Sequence, residues 1–116
     1  MKVKKLIVDS IEHVIAGDYG TAIAGDYGVA TAGYKGTAVA GYGGTAIAGR
    51  RGKATAGYEG TATVGYYGTA AANDNGVIRI EYFDSNRYRW VTGYIGEDGI
   101  EANVAYCVKD GKLVKA

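Results

Sequence analysis

From Ala16 to Ala71 the chain is one eight-residue unit written seven times without insertion or deletion: AGDYGTAI, AGDYGVAT, AGYKGTAV, AGYGGTAI, AGRRGKAT, AGYEGTAT and VGYYGTAA. A short gapless period is the signature of a solenoid stacked in register, because each unit is too small to bury its apolar side alone. Degenerate units flank the array: Val8 to Ile15 (VDSIEHVI) keeps only apolar character at the matching places, and Ala72 to Arg79 (ANDNGVIR) keeps Ala72 and Gly76. The expected organisation is an N-terminal cap over residues 1–15, the octapeptide array over 16–76 and a C-terminal cap over 77–116.

Within each unit, Thr-Ala-x-Ala alternates with a period of two and leads into Gly-x-x-Gly, which reads as a short strand and a tight turn. Lys53 stands where most units have Thr, and Arg79 falls at x, so that side tolerates charge and faces water. The other side is Ala22, Ala30, Ala38, Ala46, Ala54, Ala62 and Ala70, with Ala16, Ala24, Ala32, Ala40, Ala48, Ala56 and Ala72; only Val64 breaks the set. An interior limited to methyl groups requires two walls in close approach, since packed interiors leave no voids. One strand and one turn carry the chain half way round, so two octapeptides make a 16-residue coil. About four and a half such coils, at ~4.8 Å per strand, give a stack roughly 22 Å tall.

The expected fold is therefore all-β: a thin flat β-solenoid with two octapeptides per coil, an Ala core and a C-terminal antiparallel β cap. Glycine at both ends of each corner is expected to supply positive φ or freedom from a Cβ. The absence of proline suits unbroken backbone ladders. After Gly76 the segments Val77 to Phe83, Arg87 to Ile95 and Ile100 to Val108 read as longer strands of a small antiparallel sheet or meander, before a last short strand. Tyr82, Phe83, Tyr88, Trp90, Tyr94 and Tyr106 are expected to cover the last coil as its one conventional core.

A 16-residue coil sorts the corners into two edges. One stacks Asp18-Tyr19, Tyr34-Lys35, Arg50-Arg51 and Tyr66-Tyr67; the other stacks Asp26-Tyr27, Tyr42-Gly43, Tyr58-Glu59 and Asp74-Asn75. Both carry tyrosines that shield a thin core or form a partner seam, tyrosine being favoured at interfaces. Tyr19, Tyr27, Tyr34, Tyr42, Tyr58, Tyr66, Tyr67 and Trp90 are the candidate interface residues. A methyl core is weak, about 0.8 kcal/mol per buried group, so a second copy covering one edge is an expected source of stability. Interleaving of Tyr19, Tyr34, Tyr66 and Tyr67 would make a closed homodimer. A flat face showing Thr31, Thr45, Ile47, Thr61 and Thr63 is the other candidate surface.

Charge is balanced by region: three Lys against two acids over residues 1–15, four against four over the array, and six against six from Val77 onward. No basic field is left for nucleic acid. The single Cys107 excludes an internal disulfide and points to a reducing, cytoplasmic setting, and no signal peptide or membrane span is read. His13 is the one histidine, so neither a metal site nor a cofactor is expected. Gly41 to Ala46 satisfies a loose dinucleotide fingerprint, but no helix follows to hold a pyrophosphate. No enzymatic activity is expected.

The A-G-Y-x-G-T-A-x unit over residues 16–71 resembles half of the 16-residue repeat of bacterial ice-nucleation proteins, thin solenoids with outward Thr-x-Thr rows and a tyrosine ladder. This chain lacks the Ser beside the Thr and has few Thr-x-Thr units. The repeat and the tail RYRWVTGYIGEDGI are also similar to a group of small uncharacterised bacterial and phage proteins. The second resemblance implies a prophage-encoded inhibitor of a host defence system, of anti-CRISPR or other anti-defence type. The first implies the alternative, an ice-binding protein using its flat Thr, Val and Ile face. Both are non-enzymatic, and the expected partner is a protein or a second copy.

Overall fold

The computed structural model describes residues 5–8 and 13–116. Thirteen strands and no helix are formed among them: β1 (Lys5–Val8), β2 (His13–Ile15), β3 (Thr21–Ala24), β4 (Val29–Thr31), β5 (Thr37–Val39), β6 (Thr45–Ala48), β7 (Lys53–Ala56), β8 (Thr61–Val64), β9 (Thr69–Ala72), β10 (Val77–Phe83), β11 (Tyr88–Tyr94), β12 (Tyr106–Lys109) and β13 (Lys112–Lys115). Each octapeptide contributes one strand, and its glycine corner delivers the next octapeptide to the opposite wall. Alternate strands therefore join. One sheet runs β1-β3-β5-β7-β9-β12-β13 and the other β11-β10-β8-β6-β4-β2, with all strands from β1 to β10 parallel to their solenoid neighbours.

The register is the sequence period itself. Thr21 pairs with Thr37, Thr37 with Lys53 and Lys53 with Thr69, always sixteen residues on, and Ala22, Ala38, Ala54 and Ala70 form the adjacent rank. Two-fold alternation turns those ranks to opposite sides. The expected inward alanines from Ala22 to Ala72 are at most 4% exposed, while Ala16 is only half-buried. Val64 is tolerated because the core changes there: it pairs with Ala48 on one side and Ile80 on the other. From that point inward side chains grow, through Ile78 and Ile80 to Ile95 and Tyr106, with Ile100, Val108 and Leu113 packed against them.

The corners show why glycine recurs, and the reason is only half of the expected one. In each corner the second glycine donates its N–H to the carbonyl of the residue three before it, as Gly36 does to Gly33 at 2.9 Å and Gly60 to Gly57 at 3.0 Å. Positive φ falls on the residue just before that glycine, the place that type II turns reserve for Gly or Asn. Here it is Tyr19, Tyr27, Lys35, Arg51, Glu59, Tyr67 or Asn75, at φ 58–65° for all but Lys35 at 53°, and only Gly43 is a glycine. The regular spacing of glycine answers to crowding instead. A Cβ on Gly49 or Gly57 would lie 2.8 Å from the carbonyl carbon of the glycine sixteen residues earlier.

The C-terminal region differs from a separate meander. The octapeptide pattern ends at Gly76, yet Val77 to Ile80 still pair in parallel with β8, so β10 is both the last rung and the first strand of a hairpin with β11. The β12–β13 hairpin joins the other wall, antiparallel to β9 through Tyr106 and Ala70. Residues 100–105 form no strand, so the expected strand from Ile100 begins only at Tyr106. Of the six aromatics expected to cover the last coil, Tyr106 alone is buried; Phe83, Tyr88, Trp90 and Tyr94 are 43–52% exposed. Aliphatic side chains cover the coil because the two hairpins flank it, one per wall, and turn alternate residues outward. At the other end β1 and β2 pair in register with β3 and β4, so the described part of residues 1–15 forms rungs of the stack.

Ala46→Leu is expected to destabilise by about 1–3 kcal/mol through overpacking, and Gly57→Ala by a similar or larger amount. Thr45→Val, on the outward side of the same strand, should be nearly neutral. Chemical denaturation of the three variants checks this order, and a larger loss from Thr45→Val would mean that the sides are assigned wrongly.

Candidate interaction surfaces

The wall built from β2, β4, β6, β8 and β10 carries two outward ranks. Thr31, Ile47, Thr63 and Arg79 stand in one, and Val29, Thr45, Thr61 and Val77 in the other. All five expected flat-face residues therefore share one face, on adjacent rungs with no charged side chain between them. His13 begins this face, its Nε2 lying 3.1 Å from Thr31 Oγ1. The antiparallel β11 ends it: Tyr94 pairs with Val77, Thr92 with Arg79 and Trp90 with Glu81. Arg79 places its guanidinium 4.9 Å from the Trp90 ring. Trp90 thus belongs with the flat face and not with the tyrosine edges. The opposite wall shows Thr21, Ile23, Thr37, Val39, Thr55, Thr69 and Ala71, interrupted by exposed Lys53.

Both tyrosine edges form as the period requires, through hydrogen bonds between successive corners. On the first edge Tyr19 donates its N–H to Tyr34, Lys35 to Arg50 and Arg51 to Tyr66; on the second Tyr27 donates to Tyr42, Gly43 to Tyr58 and Glu59 to Asp74. The ladders differ in side-chain content. On the second edge Tyr27 meets Tyr42 edge-on at 5.4 Å, Tyr42 stacks on Tyr58 at 5.5 Å, and Asn75 Nδ2 donates to the Tyr58 hydroxyl at 3.2 Å. On the first edge Arg50-Arg51 divides Tyr19 and Tyr34 from Tyr66 and Tyr67. Lys35 lies 5.9 and 5.7 Å from the Tyr19 and Tyr34 rings, Arg51 lies 4.9 Å from Tyr67 and Arg50 4.8 Å from Tyr88 of β11. These are cation–π contacts on exposed rings. The expected cluster Tyr19, Tyr34, Tyr66 and Tyr67 is therefore two pairs separated by cations.

Charge balance along the sequence conceals a separation in space. Lys35, Arg50 and Arg51 lie on the first edge against a single acid, Asp18, whereas Asp26, Glu59 and Asp74 lie on the second with no cation. The hairpin turns add charges of both signs at the first edge and acids beside the second. The β10–β11 and β12–β13 turns lie toward the first edge, where Tyr66, Tyr67, Tyr82, Phe83, Asp84, Lys109 and Asp110 line an open cleft of about 540 Å³. Glu97 and Asp98 follow Tyr94 at the end of β11 that pairs with Val77, just after the second edge's last corner. Counting charge by region cancels the two edges. Sorting the corners by odd and even octapeptide is the signal that exposes them.

The electrostatics leave marks on individual groups. The Glu59 carboxylate, first, and then neighbouring Tyr27 raise the Tyr42 phenol above its ordinary value, because a phenolate there would face negative charge. Tyr66 is raised by its hydrogen bond with Tyr67. Asp84 is lowered to about 2, chiefly by its contact with Arg89 and then by the Arg87 backbone N–H. Those groups also hold the β10–β11 turn together.

Among the described residues no three His, Cys, Asp or Glu side chains converge where they could hold a metal ion. His13 on β2 and Cys107 on β12 belong to different sheets at opposite ends of the stack. Gly41 to Gly44 is a corner leading directly into β6, with no helix after it. Comparison with protein-family models, with curated proteins and with solved structures finds no match for this chain. The acidic character of the second edge can be measured directly. Glu59→Gln is expected to bring the Tyr42 phenol down toward its ordinary value, as read by NMR titration of the tyrosine ring carbons.

Proposed function

We propose that this chain is a non-enzymatic, cytoplasmic protein-binding solenoid that offers its β2–β11 face to a protein partner. The observation carrying this reading is the uncharged array Val29, Thr31, Thr45, Ile47, Thr61 and Thr63, continued on β10 by Val77 and Arg79 and bordered beyond them by exposed Trp90 and Tyr94. Its outward groups are methyls and hydroxyls, which do not titrate near neutrality and suit contact better than proton transfer. The backbone beneath is held in parallel ladders, so little ordering remains to be done on binding. Trp and Tyr at the border supply large rigid area with a polar tip, the composition that protein interfaces favour. The more specific version, an inhibitor of a host defence system of anti-CRISPR or other anti-defence type, rests on the resemblance to phage and bacterial repeat proteins alone.

An ice-binding role is the second reading, and the uncharged Thr-containing ranks on one flat face favour it. Ile47, Val29 and Val77 interrupt the threonines, and only Thr61-Thr63 completes a Thr-x-Thr rung among β4, β6 and β8, which makes this the weaker reading.

Immobilised protein exposed to lysate of the cell that carries it is expected to retain one stoichiometric partner. Thr45→Lys and Trp90→Ala should each abolish retention, while Thr37→Lys on the opposite wall should not. Absence of a stoichiometric partner at high bait concentration, or equal retention by Thr45→Lys, overturns the reading. Thermal hysteresis that disappears in Thr45→Lys would instead favour ice.

A further inference from the structure

The two edges differ in sign, and the period sets the heights at which their charges stand. Half a coil separates each corner of one edge from the next corner of the other, a rise of about 2.4 Å along the stack. When two copies stand side by side with their stacks parallel and level, Lys35 on the first edge of one falls beside Asp26 on the second edge of its neighbour. Arg51 falls beside Glu59 with the offset reversed, half a coil before it, whereas Lys35 stands half a coil after Asp26. These cations and acids form no ion pairs within the chain among the described residues, where the salt bridges are Arg89–Asp84 and Lys115–Glu101. The cations' present partners are exposed rings, Tyr19, Tyr34 and Tyr67, which can stay in contact while a carboxylate approaches; of the acids, Asp26 accepts the Tyr42 N–H through Oδ1 at 3.1 Å and Glu59 accepts the Tyr42 hydroxyl through Oε1 at 3.5 Å.

We propose that the occupant of each edge is a second copy of this chain, docked first edge to second edge with stack axes parallel. The tyrosine ladders lie between the charges and supply the apolar part of the contact. A closed two-fold pair through the first edge alone is the poorer arrangement, because it brings Lys35, Arg50 and Arg51 of both copies together. The edge-to-edge contact is heterologous: each docked copy leaves one basic and one acidic edge free, so association continues beyond two. Each edge is only a few corners long on a body whose shortest dimension is 19 Å, so the contact belongs to the small, weak and salt-sensitive class.

Sedimentation velocity from tens of micromolar to about millimolar protein in low salt provides the test. The expected result for the unmodified chain is a mass that rises with concentration past two copies and falls back toward one in 0.5 M salt. Arg50→Glu/Arg51→Glu and Glu59→Lys/Asp74→Lys should each be monomeric alone, and mixing them should restore association in one-to-one stoichiometry. All four positions are exposed, and unchanged circular dichroism establishes that each variant is folded. For a variant that fails this check, the single changes Lys35→Glu and Glu59→Lys replace it. A chain monomeric throughout overturns the proposal, as does a mixture that stays monomeric. A closed dimer lost in the arginine variant but kept in the acidic-edge variant overturns it too, in favour of two-fold pairing through the first edge.

Discussion

The spacing between the two walls controls this structure. One methyl group per inward position sets it, and the buried alanines of the two facing sheets form one continuous core. Once the walls are that close, the chain has only a four-residue corner in which to reverse. Corners that tight stack backbone directly on backbone, which excludes a Cβ from Gly49 and Gly57. The alanine ranks and the glycine ranks are therefore one requirement expressed at two places in the period. Where the alanines give way to Val64, Ile78 and Ile80, the octapeptide also ends and the chain turns to hairpins.

Most of the solenoid was readable because its physics is repetitive. Seven copies of a unit vote on which side tolerates charge, and Lys53 with Arg79 of the degenerate unit after them decides the outward direction for every strand. The 16-residue coil followed from geometry, and so did the membership of each edge and of the flat face. What escaped was single-copy or conformational. Nothing in the sequence marks which corner residue takes positive φ, since Tyr, Lys, Arg and Glu all occupy that place with only Asn75 and Gly43 as favourable choices. Hydrogen bonds between corners over-determine the conformation, so local preference is overridden.

The C-terminal region was harder for a related reason. Alternation correctly gives Val77 to Phe83 as a strand, but alternation has no information about which wall a hairpin joins. The chain divides its last four strands between both walls, and that choice sends Trp90 and Tyr94 outward onto the flat face. Aromatic content alone suggested a core. The candidate surface was thus legible in its threonines and in Trp90 as an interface candidate, Tyr94 was missed, and the polarity of the edges was missed because neighbouring octapeptides cancel in any count along the chain.

Alternation between walls gives the repeat a parity. Loss or gain of sixteen residues within the array removes or adds a whole coil and leaves every later residue on its own wall and edge. Loss or gain of eight does something else entirely, although the remaining sequence is just as periodic. Everything downstream crosses to the opposite wall: acidic corners would stack on basic ones, Trp90 would leave the face that Thr45 and Ile47 occupy, and each hairpin would be delivered to the other sheet. DNA slippage in a tandem array copies single units as readily as pairs. For this protein the octapeptide is the unit of sequence and the pair is the unit of inheritance, so variation in length should survive only in even steps.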